Sequence, residues 1–258
     1  MISISSAALN AWIAGLMWPL ARILGLIATA PLFNNQKIPA RSRIGLAVLL
    51  VLIVAPAVPA QPAVEPMSLP GLLILAQQMV IGLAMGMAMR IVFAAVEMAG
   101  EIIGMTMGLG FATFYDPQSA AHTSAISQFL SLILLMLYLA ANFHLMLISV
   151  LVDSFTSMPI GVALPGAGME QLASWGGRIF AAGVQLSLPI VAALLINNIA
   201  LGILTRAAPQ LNIFGIGFPV AIGVGFIMIA LTLPYLAVPM ERLLQEGINM
   251  AAELVRPR

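Results

Sequence analysis

The sequence predicts an all-α membrane protein with about six long helical segments. Only 7% of the 258 residues are charged, and the mean hydropathy is +1.09. A soluble domain of this length could not cover its surface with so few charged side chains. The apolar stretches also lack the inward and outward alternation of membrane β-strands. We therefore expect helices that are buried in lipid or against other apolar helices.

Six apolar stretches supply, the second only barely, the ~20 residues that a helix needs to cross a ~30 Å hydrocarbon layer. They lie at 11–33, 44–60, 69–96, 126–152, 175–205 and 213–240. Turn-forming or polar residues interrupt the chain at 34–43, 56–70, 113–123 and 159–171. None of these breaks separates a soluble domain. We expect residues 1–258 to form a single membrane domain built of helical hairpins.

The first stretch is expected to be a retained helix. A secretory signal has a basic region before a short apolar core, whereas no Lys or Arg precedes the long run at 12–33. Arg22 lies inside this run, where a charge costs about 2.5–3.5 kcal/mol on insertion scales. Arg22 is therefore expected to face protein, although the sequence does not indicate its partner.

The break before the second stretch carries Lys37, Arg41 and Arg43, which place it on the cytoplasmic side by the positive-inside rule. Strict alternation of six helices would then put Arg242 and the basic C-terminus outside, which the same rule disfavours. A simple six-pass topology thus fits poorly. Some segments are better explained as helical hairpins that pack on other subunits.

The third stretch continues as one nearly unbroken helix over 69–110, roughly 60 Å long at 1.5 Å per residue. Such a helix either breaks near its glycines or extends well beyond the bilayer. Arg90, Glu97 and Glu101 are seven and four residues apart and share one stripe. This stripe either orders the helix through an internal Arg90–Glu97 pair or packs on partner subunits or a conduit.

A glycine-rich, aromatic segment follows at about 105–122, here called the gating loop. Its glycines permit unusual backbone conformations, and an Asp-Pro pair ends helical continuation. A compact apolar loop between long helices can occlude a passage by dewetting it, but it can equally be an ordinary interhelical turn. The candidate gating residues are Met105, Met107, Gly108, Gly110, Phe111, Phe114, Tyr115, Asp116 and Pro117.

A polar, proline-containing segment at 204–219 separates the last two stretches. Arg206 and two amide side chains in such apolar surroundings need partners, so they mark a functional or assembly position. We group Arg22, Arg90, Glu97, Glu101 and Arg206 as candidate interface or buried charges. The motif that follows comprises Pro209, Gln210, Leu211, Asn212, Phe214, Gly217, Phe218 and Pro219.

The residues give no indication of catalysis, a cofactor, a metal ion or nucleic acid. The chain has no cysteine, a single lysine and no basic run, and it shows no phosphate loop, nucleophile motif or metalloprotease motif. His122 and His144 have no carboxylate at metal-ligand spacing on a shared helix. We therefore expect no catalytic, cofactor-binding or metal site.

Three motifs resemble the signatures of the FliR family of flagellar biosynthetic proteins. They are the run from Arg206 to Pro219, the run from Gly108 to Gln118, and the early pattern at 31–33 and 38–45. The Pro-Gln-Leu-Asn core is similar to that of the injectisome homologues, whereas the following Phe-Gly-Ile-Gly-Phe-Pro is more similar to the flagellar branch. The resemblance spans essentially the whole chain.

The resemblance implies a non-enzymatic subunit of the type III export gate in the bacterial inner membrane and flagellar basal body. Family members assemble with FliP- and FliQ-type membrane subunits and further export components into a helical complex that conducts unfolded flagellar proteins. Much of that complex lies above the membrane plane, and energy for export comes from other components. The loop matching 105–122 helps to close the pore, which favours gating over an ordinary turn here.

The residues alone leave a second hypothesis open. Arg90, Glu97, Glu101 and Arg206 could form a midplane site in a self-contained secondary transporter. That hypothesis requires an inverted internal repeat, and none is convincing in this sequence. It also requires solute uptake by the isolated chain, whereas the export gate requires a heteromeric complex.

Overall fold

The computed structural model describes residues 6–33, 38–59, 62, 64–111, 124–163, 165–208 and 217–256. Every regular element within these ranges is helical, which confirms the all-α prediction. Two short 3-10 turns lie at Ala55–Ala57 and Leu109–Phe111. The described α-helices are α1 (Ser6–Thr29), α2 (Ala40–Val54), α3 (Leu69–Thr106), α4 (Ala125–Ala140), α5 (Phe143–Ser157), α6 (Gly166–Trp175), α7 (Arg178–Ala207) and α8 (Phe218–Leu254).

Five helical segments of the described chain are long and apolar enough to cross a membrane. They are Trp12–Thr29, Ala40–Ala57, Leu69–Thr106, Gly166–Ala207 and Phe218–Leu254. The interrupted pair α4 and α5 raises the number to six if the pair forms one span. These segments agree with the number of apolar stretches predicted from the sequence.

The third predicted segment is one uninterrupted helix. α3 has 38 residues, which corresponds to roughly 57 Å at 1.5 Å per residue. Its glycines therefore do not break it. Of the two possibilities that the sequence left open, the structure shows the second, a helix longer than the ~30 Å hydrocarbon layer. The helix ends at Thr106 rather than at 110, because Gly108 takes a left-handed conformation with φ of +85°.

The fourth stretch, in contrast, is divided. The sequence at 126–152 has no proline or glycine and was expected to form one apolar segment, but α4 ends at Ala140 and α5 begins at Phe143. Asn142 between them has φ 58° and ψ 24°, the left-handed conformation. Asparagine adopts this conformation more readily than most residues other than glycine.

Two compact units divide the chain. The first comprises Met1–Ile91, Ala141–Gly176 and Leu244–Arg258, and the second comprises Val92–Ala140 and Gly177–Leu243. Helices α3 and α8 each contribute residues to both units.

In the first unit, α1 and the first part of α3 approach closely through glycines. A Cβ atom on Gly25 would lie 2.5 Å from the carbonyl oxygen of Met79, and one on Gly82 would overlap the carbonyl oxygen of Arg22. Glycines at such contacts allow two helix backbones to pack without intervening side chains. The Trp18 indole reinforces the contact by donating a hydrogen bond to the carbonyl oxygen of Gly71 at 3.3 Å.

In the second unit, the last part of α3 packs against α4 and α7. The Phe93 and Tyr138 rings meet edge to face with centroids 5.9 Å apart, a favourable arrangement for aromatic pairs. On α7, a Cβ atom on Gly183 would lie 2.8 Å from Cγ of Met98. These contacts fix the end of α3, from which the gating loop departs.

Candidate functional site: the gating loop and its supports

A hydrogen bond joins Glu101 and Ser124, which flank the gating loop in the sequence. The Glu101 carboxylate (Oε1) accepts a hydrogen bond from the backbone N–H of Ser124 at 2.7 Å. The Ser124 hydroxyl in turn accepts one from the backbone N–H of Ser127 at 3.1 Å, as a helix N-cap does. The negative charge of the carboxylate is also stabilised by the positive N-terminal end of the α4 dipole. Glu101 therefore anchors the point where the chain returns from the loop.

A close contact between α3 and α4 lies beside this anchor. A Cβ atom on Gly100 would lie 2.7 Å from the backbone nitrogen of Ser127. The Ser127 hydroxyl donates a hydrogen bond to the carbonyl oxygen of Glu97 at 2.8 Å. Only glycine fits here because the neighbouring atoms belong to the backbone and cannot rotate away. The two helices are thus fixed to each other where the loop begins and ends.

The first residues of the gating loop pack against the start of α8. Met107 is fully buried, and a Cβ atom on Gly225 would lie 2.6 Å from both Cγ and Cε of Met107. A Cβ atom on Gly108 would lie 2.7 Å from Cδ1 and Cε1 of the Phe218 ring. The structure thus brings Gly108, at the base of the gating loop, next to Phe218 near the end of the 206–219 motif. The sequence did not indicate this proximity.

The remaining predicted loop residues have different locations. Met105 is 62% exposed, and its Cγ would lie 4.0 Å from a Cβ atom built on Gly110. Phe111 closes the 3-10 turn Leu109–Phe111. Four predicted gating residues lie outside the described residues, namely Phe114, Tyr115, Asp116 and Pro117.

The 206–219 motif is described only at its two ends. Gly217 is buried, Phe218 is half-buried and Pro219 is exposed at the start of α8. Arg206 is exposed in the last turn of α7. Its positive charge is stabilised there by the negative end of the helix dipole. The motif residues outside the described part of the chain are Pro209, Gln210, Leu211, Asn212 and Phe214.

The three residues of the charged stripe predicted on α3 differ in their exposure. Arg90 is exposed, whereas Glu97 and Glu101 are half-buried. The carboxylate of Glu101 has the anchoring role described above, and the backbone carbonyl of Glu97 accepts from Ser127. Glu101 therefore has a partner within its own chain.

Arg22 is fully buried in the first unit. Its guanidinium donates five hydrogen bonds, two to Oε1 of Gln78, two to the carbonyl and hydroxyl oxygens of Ser154, and one to the carbonyl oxygen of Met158. These bonds are 2.5–3.0 Å long and match the number of guanidinium N–H groups. The guanidinium carbon also lies 4.4 Å from the centre of the Phe155 ring.

The partners of Arg22 could not be identified from the sequence. Ser154 and Met158 lie at the C-terminal end of α5 and are 132 and 136 residues away along the chain. The positive charge of Arg22 is stabilised by the negative C-terminal end of the α5 dipole. The one available signal was the pair of glutamines within the apolar third stretch, Gln77 and Gln78, since amides in such surroundings need polar partners.

Among the described residues, no group of three His, Asp or Glu side chains is placed to hold a metal ion.

Comparison with known proteins gives a consistent result over the whole chain. The family described as "Bacterial export proteins, family 1" matches residues 13–247. The chain is 41% identical to the flagellar biosynthetic protein FliR of Pectobacterium carotovorum and to that of Escherichia coli, in each case over 99% of this chain and 98% of the relative. It is 34% identical to the FliR of Bacillus subtilis over 81% of this chain and 82% of that relative.

Proposed function

We propose a function from the finding that this chain belongs to the FliR family of bacterial export proteins. We propose that it is a structural, pore-forming subunit of the flagellar export gate. Family membership makes the chain a membrane-embedded component of the flagellar export apparatus. The proposal adds that it lines a passage for unfolded flagellar proteins across the bacterial inner membrane. It also adds that the gating loop helps to seal this passage at rest.

Exposed apolar side chains support assembly with other subunits. On α7, Ile196, Ile199 and Ile203 are 70%, 65% and 66% exposed and share one face by their helical spacing. On α8, Leu231 and Tyr235 are 61% and 79% exposed. Such faces require lipid or protein neighbours. We propose FliP- and FliQ-type membrane subunits as the protein neighbours.

The seal is supported by the anchoring of the gating loop. The 2.7 Å bond from Ser124 N–H to Glu101 joins residues that are 23 positions apart and holds together the two helices that flank the intervening chain. That chain contains Phe111, Phe114 and Tyr115, whose large apolar side chains can exclude water from a passage. The hydrogen bond between Glu101 and Ser124, which flank this aromatic segment, is the observation that carries the proposed seal.

Deletion of Gly110–Tyr115 tests the seal. We expect the shortened chain to assemble with its partner subunits, because Glu101, Ser124 and the α3–α4 contact are retained. Bacteria that express the resulting complex should admit small ions or dyes that the unaltered complex excludes. Co-purification of the partner subunits serves as the control for assembly. An unchanged permeability barrier in an assembled complex would contradict the seal.

The alternative of a self-contained transporter has no comparable support. Its proposed site used Arg90, Glu97, Glu101 and Arg206. Arg90 and Arg206 are exposed, and Glu101 is engaged at the start of α4. The description of the matching family, together with the names of the relatives, also points to a flagellar export component rather than to an enzyme.

A further inference from the structure

We infer that Met107, Gly108, Phe218 and Gly225 form a latch that holds the base of the gating loop in its resting position. The inference rests on the proposed seal and adds a means of control to it. It assigns the end of the 206–219 motif a role in positioning the loop, a role that the motif itself did not suggest.

The first half of the latch is the contact between Met107 and Gly225. Met107 lies just after the end of α3, and its side chain is fully buried. Cγ, Sδ and Cε of Met107 all lie within 2.7 Å of the place that a Cβ atom on Gly225 would occupy. Three consecutive side-chain atoms therefore lie along the backbone of α8. Because the side chain is buried, it cannot move aside unless the loop base or α8 also moves.

The second half is the contact between Gly108 and Phe218. Gly108 has φ of +85°, a conformation that side chains with a Cβ rarely adopt. This turn directs the chain out of α3, and the edge of the Phe218 ring occupies the space beside it. Phe218 is only half-buried. Its ring is therefore packed against the loop base but only partly enclosed.

The two contacts lie seven residues apart on α8, which corresponds to about two helical turns along one face. Residues 107 and 108 are thus held at two levels of the same helix. A displacement of the loop base would have to break both contacts. We infer that the gating loop opens together with a movement of the first turns of α8, and that cargo or a neighbouring subunit that shifts α8 would release it.

Substitutions at two nearby glycines of α8 test the latch. Gly225→Ala places a methyl group against Met107, whereas the methyl group of Gly223→Ala would have no atom of the described residues within 4 Å apart from its own turn of α8. We expect Gly225→Ala to lose the permeability barrier of the assembled complex and Gly223→Ala to retain it. Met107→Ala, which removes the contact, should also leak. The double variant Met107→Ala/Gly225→Ala should leak less than Gly225→Ala, since the added methyl group then has room.

The permeability assay is the one used for the Gly110–Tyr115 deletion, and each variant is checked for co-purification with its partner subunits. If the deletion leaks while Gly225→Ala and Met107→Ala retain the barrier as Gly223→Ala does, the latch is wrong and the seal stands. If the deletion itself does not leak, the proposed seal fails and the latch with it. A leak that occurs only where the partner subunits are lost would also overturn the latch, because misassembly would explain it.

Discussion

At Arg22, a charge lies deep inside the first unit, and its five hydrogen bonds go to four oxygen atoms, all of them neutral. Two are backbone carbonyls at the end of α5, one is a hydroxyl, and Gln78 accepts twice. A buried charge is tolerated when it is fully hydrogen-bonded. A planar guanidinium suits this arrangement better than an ammonium group because its donors point in fixed directions and its face can stack on Phe155.

Arg22→Lys should therefore destabilise the protein although it keeps the charge. We expect a loss of about 2–4 kcal/mol in the free energy of unfolding, since several charge-assisted hydrogen bonds and the stacking on Phe155 disappear. Unfolding of the purified protein by a denaturing detergent would measure this loss. Arg256→Lys at the exposed end of the chain is the matched control and should change little. Equal stability of the two variants would contradict a structural role for the Arg22 guanidinium.

The environment of Arg22 shows what single residues reveal before a structure is known. Its position within an apolar run predicts that it faces protein, because lipid cannot solvate it. Its partners depend on contacts more than fifty residues away along the chain, which no local pattern encodes. The same applies to Phe218, whose proximity to Gly108 depends on how α8 packs in the second unit.

At the scale of elements, the length and composition of α3 made its helix predictable, whereas the interruption between α4 and α5 was not predictable. A long apolar run without proline favours an unbroken helix, and α3 follows this expectation. The stretch at 126–152 shows the same features and yet divides at Asn142. One left-handed residue is sufficient to end a helix, and asparagine carries too weak a signal to predict it.

Substitutions at Asn142 and Ala141 should show opposite preferences. Asn142→Gly should be tolerated, because glycine adopts φ 58° freely. Asn142→Ala should cost roughly 1–2 kcal/mol, the usual penalty for a left-handed residue with a Cβ. At Ala141, whose φ is not positive, glycine should be less stable than alanine. Thermal stability of the purified variants measures both comparisons, and the same order at the two positions would contradict the left-handed break.

For the molecule as a whole, composition determined the fold class, and three motifs indicated the family. The low charge content and the long apolar runs predict helices in a membrane. The quaternary structure could not be predicted from the sequence. The role of an exposed face, such as that of Ile196, Ile199 and Ile203 on α7, depends on the subunits or lipids that cover it. A single sequence carries the residues of those faces but not the surfaces that cover them.

The mass of the protein after mild detergent extraction tests the proposed assembly. We expect a heteromeric complex that contains FliP- and FliQ-type subunits, since we propose these subunits as the protein neighbours of the exposed apolar faces. A lone chain or a small homo-oligomer that takes up a solute by itself would favour the transporter instead.

The most direct measurement is the electrical conductance of the purified complex in a planar lipid bilayer. With the unaltered chain, the complex should be closed to ions at rest. With Gly110–Tyr115 deleted, the same complex should conduct, because the aromatic part of the gating loop no longer occludes the passage. A complex that contains all its subunits and stays closed after this deletion would contradict the central claim.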